Sequence, residues 1–209
     1  MVVSLPGERL LSVEEYLDFE EASSERHEYF NGQIYAMAGA SPEHELIVMN
    51  LGTALNTRLR GRCRVYGSNL RVIVTETGLY TYPDLSVVCE DAQYEETRPP
   101  SLLNPLVLVE VLSESTGAYD RGEKFRHYQR LPSLREVLFV WQDRMRVERF
   151  LRQEEENTWI LTAITGSSGS ISLESLQIEV PMDEIYHQVA LPSPGRPALV
   201  RPQYGDNAG

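Results

Sequence analysis

Two stretches decide the fold: Tyr82-Pro83-Asp84-Leu85-Ser86-Val87-Val88-Cys89 and Pro105-Leu106-Val107-Leu108-Val109-Glu110-Val111-Leu112. Both are short runs rich in branched aliphatic side chains and introduced by proline, so both read as strands. The second is apolar on its two faces, the pattern of a central strand covered from both sides. Each carries one carboxylate, Asp84 and Glu110. Neighbouring strands lie about 4.8 Å apart, so if these two pair, both carboxylates reach one cation. A charge inside Leu-Val-Leu-Val-Glu-Val-Leu is costly unless it is paired or metal-bound. Two readings stay open on this pattern. Either a hard divalent ion such as Mg²⁺ takes both carboxylates as oxygen ligands, or Glu110 pairs with an arginine and Asp84 caps a turn.

The flanking sequence supplies the rest of a mixed sheet. Upstream, Ser12 and Glu15 have the spacing of a capping box and predict a helix over 12–22. Arg26 to Met37 carries Asn31-Gly32 at its centre and predicts a β-hairpin with a type I′ turn. Ser41-Pro42 predicts a helix start, with Ile47, Leu51, Ala54, Leu55 and Leu59 on one face and an end near Gly61. Residues 71–75 predict a further strand. Downstream, Asp120 to Leu131 predicts a helix stopped by Pro132, and Val137 to Trp141 another buried strand. A hairpin then pairs 147–151 with 159–164 around Glu154-Glu155-Glu156. Helices and strands in this order pack most naturally as a mixed α/β (α+β) sheet flanked by helices. Residues 1–191 are expected to form one domain, and 192–209, rich in Pro, Gly and Asn, a disordered tail.

Asp120, Lys124 and Tyr128 are spaced i, i+4, i+8 and so share a helix face. Taken alone they read as an ordinary surface ion pair beside an aromatic. Together with the strands they form a pattern. Tyr82-Pro83-Asp84-Leu85, Val109-Glu110-Val111-Leu112-Ser113 and Asp120-Arg121-Gly122-Glu123-Lys124-Phe125-Arg126-His127-Tyr128 resemble a bacterial restriction endonuclease family, once filed as a domain of unknown function, of the PD-(D/E)xK nuclease superfamily. Arg26-His27-Glu28-Tyr29-Phe30-Asn31-Gly32, Ser41-Pro42-Glu43-His44 and Ser68-Asn69-Leu70-Arg71 extend the resemblance, which runs in order from about residue 10 to residue 190.

The resemblance implies a restriction-endonuclease-like fold and a metal-dependent endonuclease acting on DNA. It implies that Asp84, Glu110 and the carbonyl of Val111 hold Mg²⁺ or Mn²⁺. It implies Glu28 as a further acid near the site, with His44 and Tyr128 as accessory residues. The chain departs from the superfamily at one point, because the position two after Glu110 is Leu112 and not lysine. The resemblance transfers that role to Lys124 on the following helix. The rival readings are a nuclease fold kept as a DNA-binding or interaction module, and a hydrolase of small phosphorylated molecules.

The charge balance limits how DNA would be held. The net charge of -12 argues against a generally basic nucleic-acid binder. From Leu46 to Thr75, however, no acid occurs, while Arg58, Arg60, Arg62, Arg64 and Arg71 do. Arg58, Arg60, Arg62 and Arg71 are therefore the expected phosphate contacts, and a solvated helix end is the alternative. Cys63 and Cys89 lack metal-ligand spacing and are expected to be buried free thiols. Without a signal pattern or a membrane-length apolar run, a cytoplasmic protein with no membrane partner is expected; a homodimer is allowed.

Overall fold

The computed structural model describes residues 3–4, 9–37, 39–114, 116–154 and 158–192. Most of the expected tail, and the Glu155-Glu156 part of the expected turn, lie outside the described residues. The chain opens with β1 (Val3–Ser4) and α1 (Val13–Ala22). The capping box forms in full: the Glu15 amide donates to Ser12 Oγ at 3.2 Å, and the Ser12 amide to Glu15 Oε2 at 2.8 Å. A hairpin of β2 (His27–Phe30) and β3 (Gln33–Ala36) follows. Asn31 and Gly32 both adopt positive φ, 49° and 83°, as the type I′ turn requires.

Next, α2 (Pro42–Arg58) starts on a Ser41 cap whose hydroxyl accepts from the His44 amide. Seven short strands come after it: β4 (Arg64–Gly67), β5 (Arg71–Val74), β6 (Leu79–Thr81), β7 (Leu85–Val88), β8 (Tyr94–Glu95), β9 (Ser101–Leu102) and β10 (Val107–Leu112). The expected helix after β10 is built in three pieces: α3 (Gly117–Tyr119), a π-turn (Asp120–Lys124) and α4 (Phe125–Tyr128). The chain then runs through β11 (Glu136–Trp141), β12 (Arg146–Arg152), β13 (Trp159–Thr165), β14 (Ser170–Leu173), β15 (Ile178–Pro181) and α5 (Met182–Ile185).

Among the described residues the strands form a first sheet in the order β1-β3-β2-β6-β5-β9-β8, a second in the order β13-β12-β11-β10-β7-β4, and a β14-β15 ribbon. The second sheet is mixed: β10 runs parallel to β11 and antiparallel to β7. The parallel pair requires a crossover, and the α3–π-turn–α4 segment supplies it. Alternation along β10 sorts its side chains. Val107, Val109 and Val111 pack with Ile47, Leu51 and Leu55 of α2. Leu108 and Leu112 face the other way, onto Phe125 and Tyr128 of the crossover. Glu110 falls on that second face.

The structure corrects the cysteine reading. Cys63 and Cys89 are joined as a disulfide. The reason is the β4–β7 ladder: Arg64 pairs with Val88, so the residues just outside that pair, Cys63 and Cys89, stand opposite one another. Spacing along the sequence could not show this, because β4 is half-exposed and lies inside an arginine-rich stretch. Among the described residues no helix is long and apolar enough to cross a membrane.

Candidate active site

The register of the second sheet builds the acid pair. Leu85 pairs with Val109, so the next residues in the antiparallel ladder are Asp84 and Glu110. Directly opposed residues point to the same face, with Cβ atoms roughly 4.5–5.5 Å apart. Asp84 does not continue the strand. Its carboxylate turns in, and Oδ2 accepts the Val111 amide at 2.6 Å. His44, in the first turn of α2, brings Nε2 to 3.3 Å from the same oxygen. Burial is the largest single influence on His44 and works against its charge, but the bond to Asp84 together with the charges of Asp84, Glu45 and Asp120 holds the imidazole above its ordinary pKa.

The crossover brings in the cation. Phe125 N–H reaches back five residues to Asp120 O, closing the π-turn that carries Lys124 inward. Such turns are frequent at functional sites. Lys124 Nζ lies 2.9 Å from Glu110 Oε1, 2.9 Å from Glu28 Oε1 and 3.8 Å from Asp120 Oδ1. Its side chain is only 5% exposed, so the ammonium is a buried charge that must be paired. The Tyr128 hydroxyl donates to Glu110 Oε1, and the Thr81 hydroxyl donates to Glu28 Oε1. The pattern i, i+4, i+8 therefore does place Asp120, Lys124 and Tyr128 on one inward face.

Four carboxylates share this space with one lysine, and the electrostatics follow. Burial pushes the Glu110 carboxyl well above the usual range. Lys124 opposes that rise, while Asp120 and Asp84 add to it. Asp120 is raised for the same first reason. Burial also disfavours the Lys124 charge, yet Glu110 and Glu28 overcome it and hold the ammonium well above its ordinary pKa. Burial thus raises the two acids, and the acids' charges raise the lysine. Glu28, Asp84, Glu110, Val111, Asp120, Lys124 and His44 all line one cavity of about 630 Å³. Among the described residues no three His, Cys, Asp or Glu side chains already converge on a point where they would jointly hold an ion. Carboxylate oxygens are nonetheless donors of the kind Mg²⁺ takes, one or two at a time from a protein. The excess buried negative charge fits a cation.

The expected phosphate contacts are not brought here. Arg71 is 1% exposed. Its guanidinium donates to Ser101 Oγ, Thr97 Oγ1 and Pro99 O, and packs over the Tyr16 and Tyr80 rings. Arg71 is thus a buried structural cation and no phosphate contact, because the β5–β9 pairing closes over it. Arg58 forms a two-pronged pair with Glu184. Arg60 and Arg62 are exposed just beyond it. At about 1.5 Å per residue, Arg58 lies about 21 Å along α2 from His44, so this group sits at the far end of the helix from the cavity. Asp120 is the residue the sequence undervalued. Its i, i+4 relation to Lys124 was the available signal, and the burial that makes the relation matter was not.

A mixed sheet with one acid just before β7 and its partner within the neighbouring β10, spanned by a helical crossover whose π-turn carries an inward lysine, is a restriction-endonuclease-like α+β fold. A crystal structure of "a putative nuclease belonging to DUF820" from Anabaena variabilis shares it, with a TM-score of 0.67 over 84% of this chain and 97% of that one, at 16% identity. The chain belongs to the Uma2 family, described as "Putative restriction endonuclease", whose match spans residues 13–183. Two relatives from Synechocystis are similar along nearly their whole length. The uncharacterized protein slr1290 is 38% identical over 86% of this chain and 93% of its own, and the uncharacterized protein sll1609 is 31% identical over 81% and 96%.

Proposed function

We propose that this protein is a Mg²⁺- or Mn²⁺-dependent endonuclease that hydrolyses phosphodiester bonds in DNA. The observation that carries the reading is the buried Lys124 ammonium, 2.9 Å from both Glu110 and Glu28, in the wall of the cavity that Asp84 also lines. Asp84, Glu110 and the Val111 carbonyl would hold the ion, with Glu28 tuning it or holding a second. When bound, the ion supplies Lewis-acid polarisation of the phosphoryl group and favours an ionised water.

The chain's own groups have separable tasks. Lys124, kept protonated by its carboxylates, offers positive charge and N–H donors to the oxygens on which negative charge develops. A lysine held this firmly charged orients the attacking water and stabilises charge more readily than it takes up a proton. Tyr128 fixes one oxygen of Glu110, and His44 and the Val111 amide fix one oxygen of Asp84. Asp120 restrains the lysine from its own turn of the crossover. The test is hydrolysis of plasmid and single-stranded DNA with Mn²⁺, with Mg²⁺ and with chelator. Nicking that requires the ion and is lost in Asp84→Asn and Glu110→Gln supports the proposal. Robust DNA binding without cleavage under any of these conditions would leave the fold as a binding module.

A further inference from the structure

A second group of cations lies next to the cavity, on elements that sequence spacing does not connect. Arg121 follows Asp120 in the π-turn, while Arg144 and Arg146 flank the start of β12. Their guanidinium carbons lie 5.3, 5.7 and 5.2 Å from the Trp141 ring centroid, so three arginines cover one indole. Glu148 sits beneath, 1% exposed. Its Oε2 accepts from Arg121 Nε and Nη2 at 2.9 and 2.7 Å, and its Oε1 accepts from Arg146 Nε and Nη2 at 3.2 and 2.6 Å. Besides the ring, the ion-pair partner of Arg144 among the described residues is the exposed Asp143, at 3.6 Å.

A buried carboxylate needs one positive partner, and Glu148 has two, with a third arginine on the same ring. Three guanidiniums against Glu148 and Asp143 leave a local surplus of positive charge in a chain whose net charge is -12. The guanidiniums also remain accessible: the side chains of Arg121, Arg144 and Arg146 are 40%, 60% and 34% exposed. Arg121 and Arg146 give Nε and Nη2 to Glu148, which leaves the Nη1 group of each outside that pair, and Arg144 is held by a longer ion pair. Guanidinium N–H groups stacked on an aromatic face match phosphate oxygens. The group begins where the cavity wall ends. Asp120, before Arg121, and Gln142, after Trp141, both line the cavity, and the Gln142 amide bonds Leu112 O at 3.2 Å. Trp141 stands beside Leu112 and Phe139 beside Glu110, so the indole is about 6.6 Å further along the sheet than the acid.

We infer that Arg121, Arg144 and Arg146, arrayed on Trp141, form a clamp for DNA backbone phosphates next to the one held in the cavity. The inference deepens the nuclease reading and rests on it for the position of the cleaved bond. It replaces the α2-end arginines as the principal backbone contact.

Binding of a short fluorescent DNA duplex, measured by anisotropy in chelator across a salt series, tests it without cleavage. Each lost arginine–phosphate contact should reduce the magnitude of the log K against log[salt] slope by about 0.9. Referred to about 1 M salt, that is a loss of about eightfold at about 0.1 M. Arg144→Gln removes only a contact with an exposed acid and the ring, so it should fold; Arg146→Gln leaves Glu148 its bond to Arg121. Both should show the loss, and Arg60→Gln with Arg62→Gln a smaller one. An unchanged slope in both Arg144→Gln and Arg146→Gln, or no binding of duplex by the parent, overturns the clamp. Cleavage that persists beside an unchanged slope sinks the clamp and keeps the nuclease. A slope loss in these variants of a parent that never cleaves keeps the clamp and sinks the nuclease.

Discussion

Replacing Lys124 with methionine keeps most of the side-chain volume and removes the cation that, among the described residues, pairs with Glu28, Glu110 and Asp120. Breaking a buried ion pair by deleting one partner costs about 3–5 kcal/mol. The lower end applies here, because Glu110 keeps the Tyr128 hydroxyl and can take up a proton. For a chain of this size 1 kcal/mol corresponds to roughly 2–4 °C in Tm, so a loss of roughly 6–12 °C is expected near neutrality. The pH dependence has a definite sign. Glu110 and Asp120 already have raised pKa values, so the stability they contribute is complete below their unfolded values near about 4 and is lost as pH rises through the folded ones. Removing Lys124 deletes the influence that lowers both and raises them further. The deficit in Lys124→Met should therefore grow from about pH 5 to about pH 8. Thermal unfolding followed by circular dichroism in chelator measures it. A Tm loss below about 2 °C, or a deficit that is flat or grows on acidification, would refute the account of the ammonium as the site's internal counter-charge.

Four further outcomes are expected. Lys124→Met should bind DNA in chelator about as the parent does, yet lose cleavage by about 100-fold in single-turnover assays, the scale of a lost charge-stabilising group. Saturating Mg²⁺ should raise the parent's Tm by mass action and leave that of Glu110→Ala unmoved, and equal rises would count against Glu110 as a ligand. Arg71→Ala should cost about 2–4 kcal/mol in urea unfolding, because its buried acceptors lose their donor, while leaving the salt slope of DNA binding unchanged. Ser12→Ala should cost about 1 kcal/mol through the capping box alone, with cleavage intact below the melting transition.

The parts of the fold legible in the sequence are those fixed by local chemistry. Ser12-x-x-Glu15, Asn31-Gly32 and Ser41-Pro42 each name a backbone geometry, and each forms as expected. The strands around Asp84 and Glu110 were legible because their apolar runs permit little else. What escaped depends on long-range pairing. Strand β4 has no alternating pattern to reveal it, since Arg64 and Gly67 are exposed and its middle residues only half-buried. Arg71 looked like part of a basic surface because a sequence cannot show that β9 and the Thr97–Pro99 segment fold over it. The same blindness hid the disulfide and the arginine-covered Trp141, whose members come from two separate stretches. At the site, Lys124 was legible as a face-mate of Asp120 and Tyr128. Its 2.9 Å approach to Glu28, nearly a hundred residues earlier, was not.

That approach has an evolutionary consequence. Glu28 belongs to the first sheet, Glu110 to the second, and Lys124 to the crossover, so one ammonium fastens three elements. A lineage that abandons catalysis cannot discard the lysine first, since the orphaned acids would weigh on the fold, nor one acid first without slackening the lysine's hold. Relatives that have lost the activity should therefore have exchanged these positions as a set, for a neutral or apolar trio of similar volume, and single replacements should be rare among them.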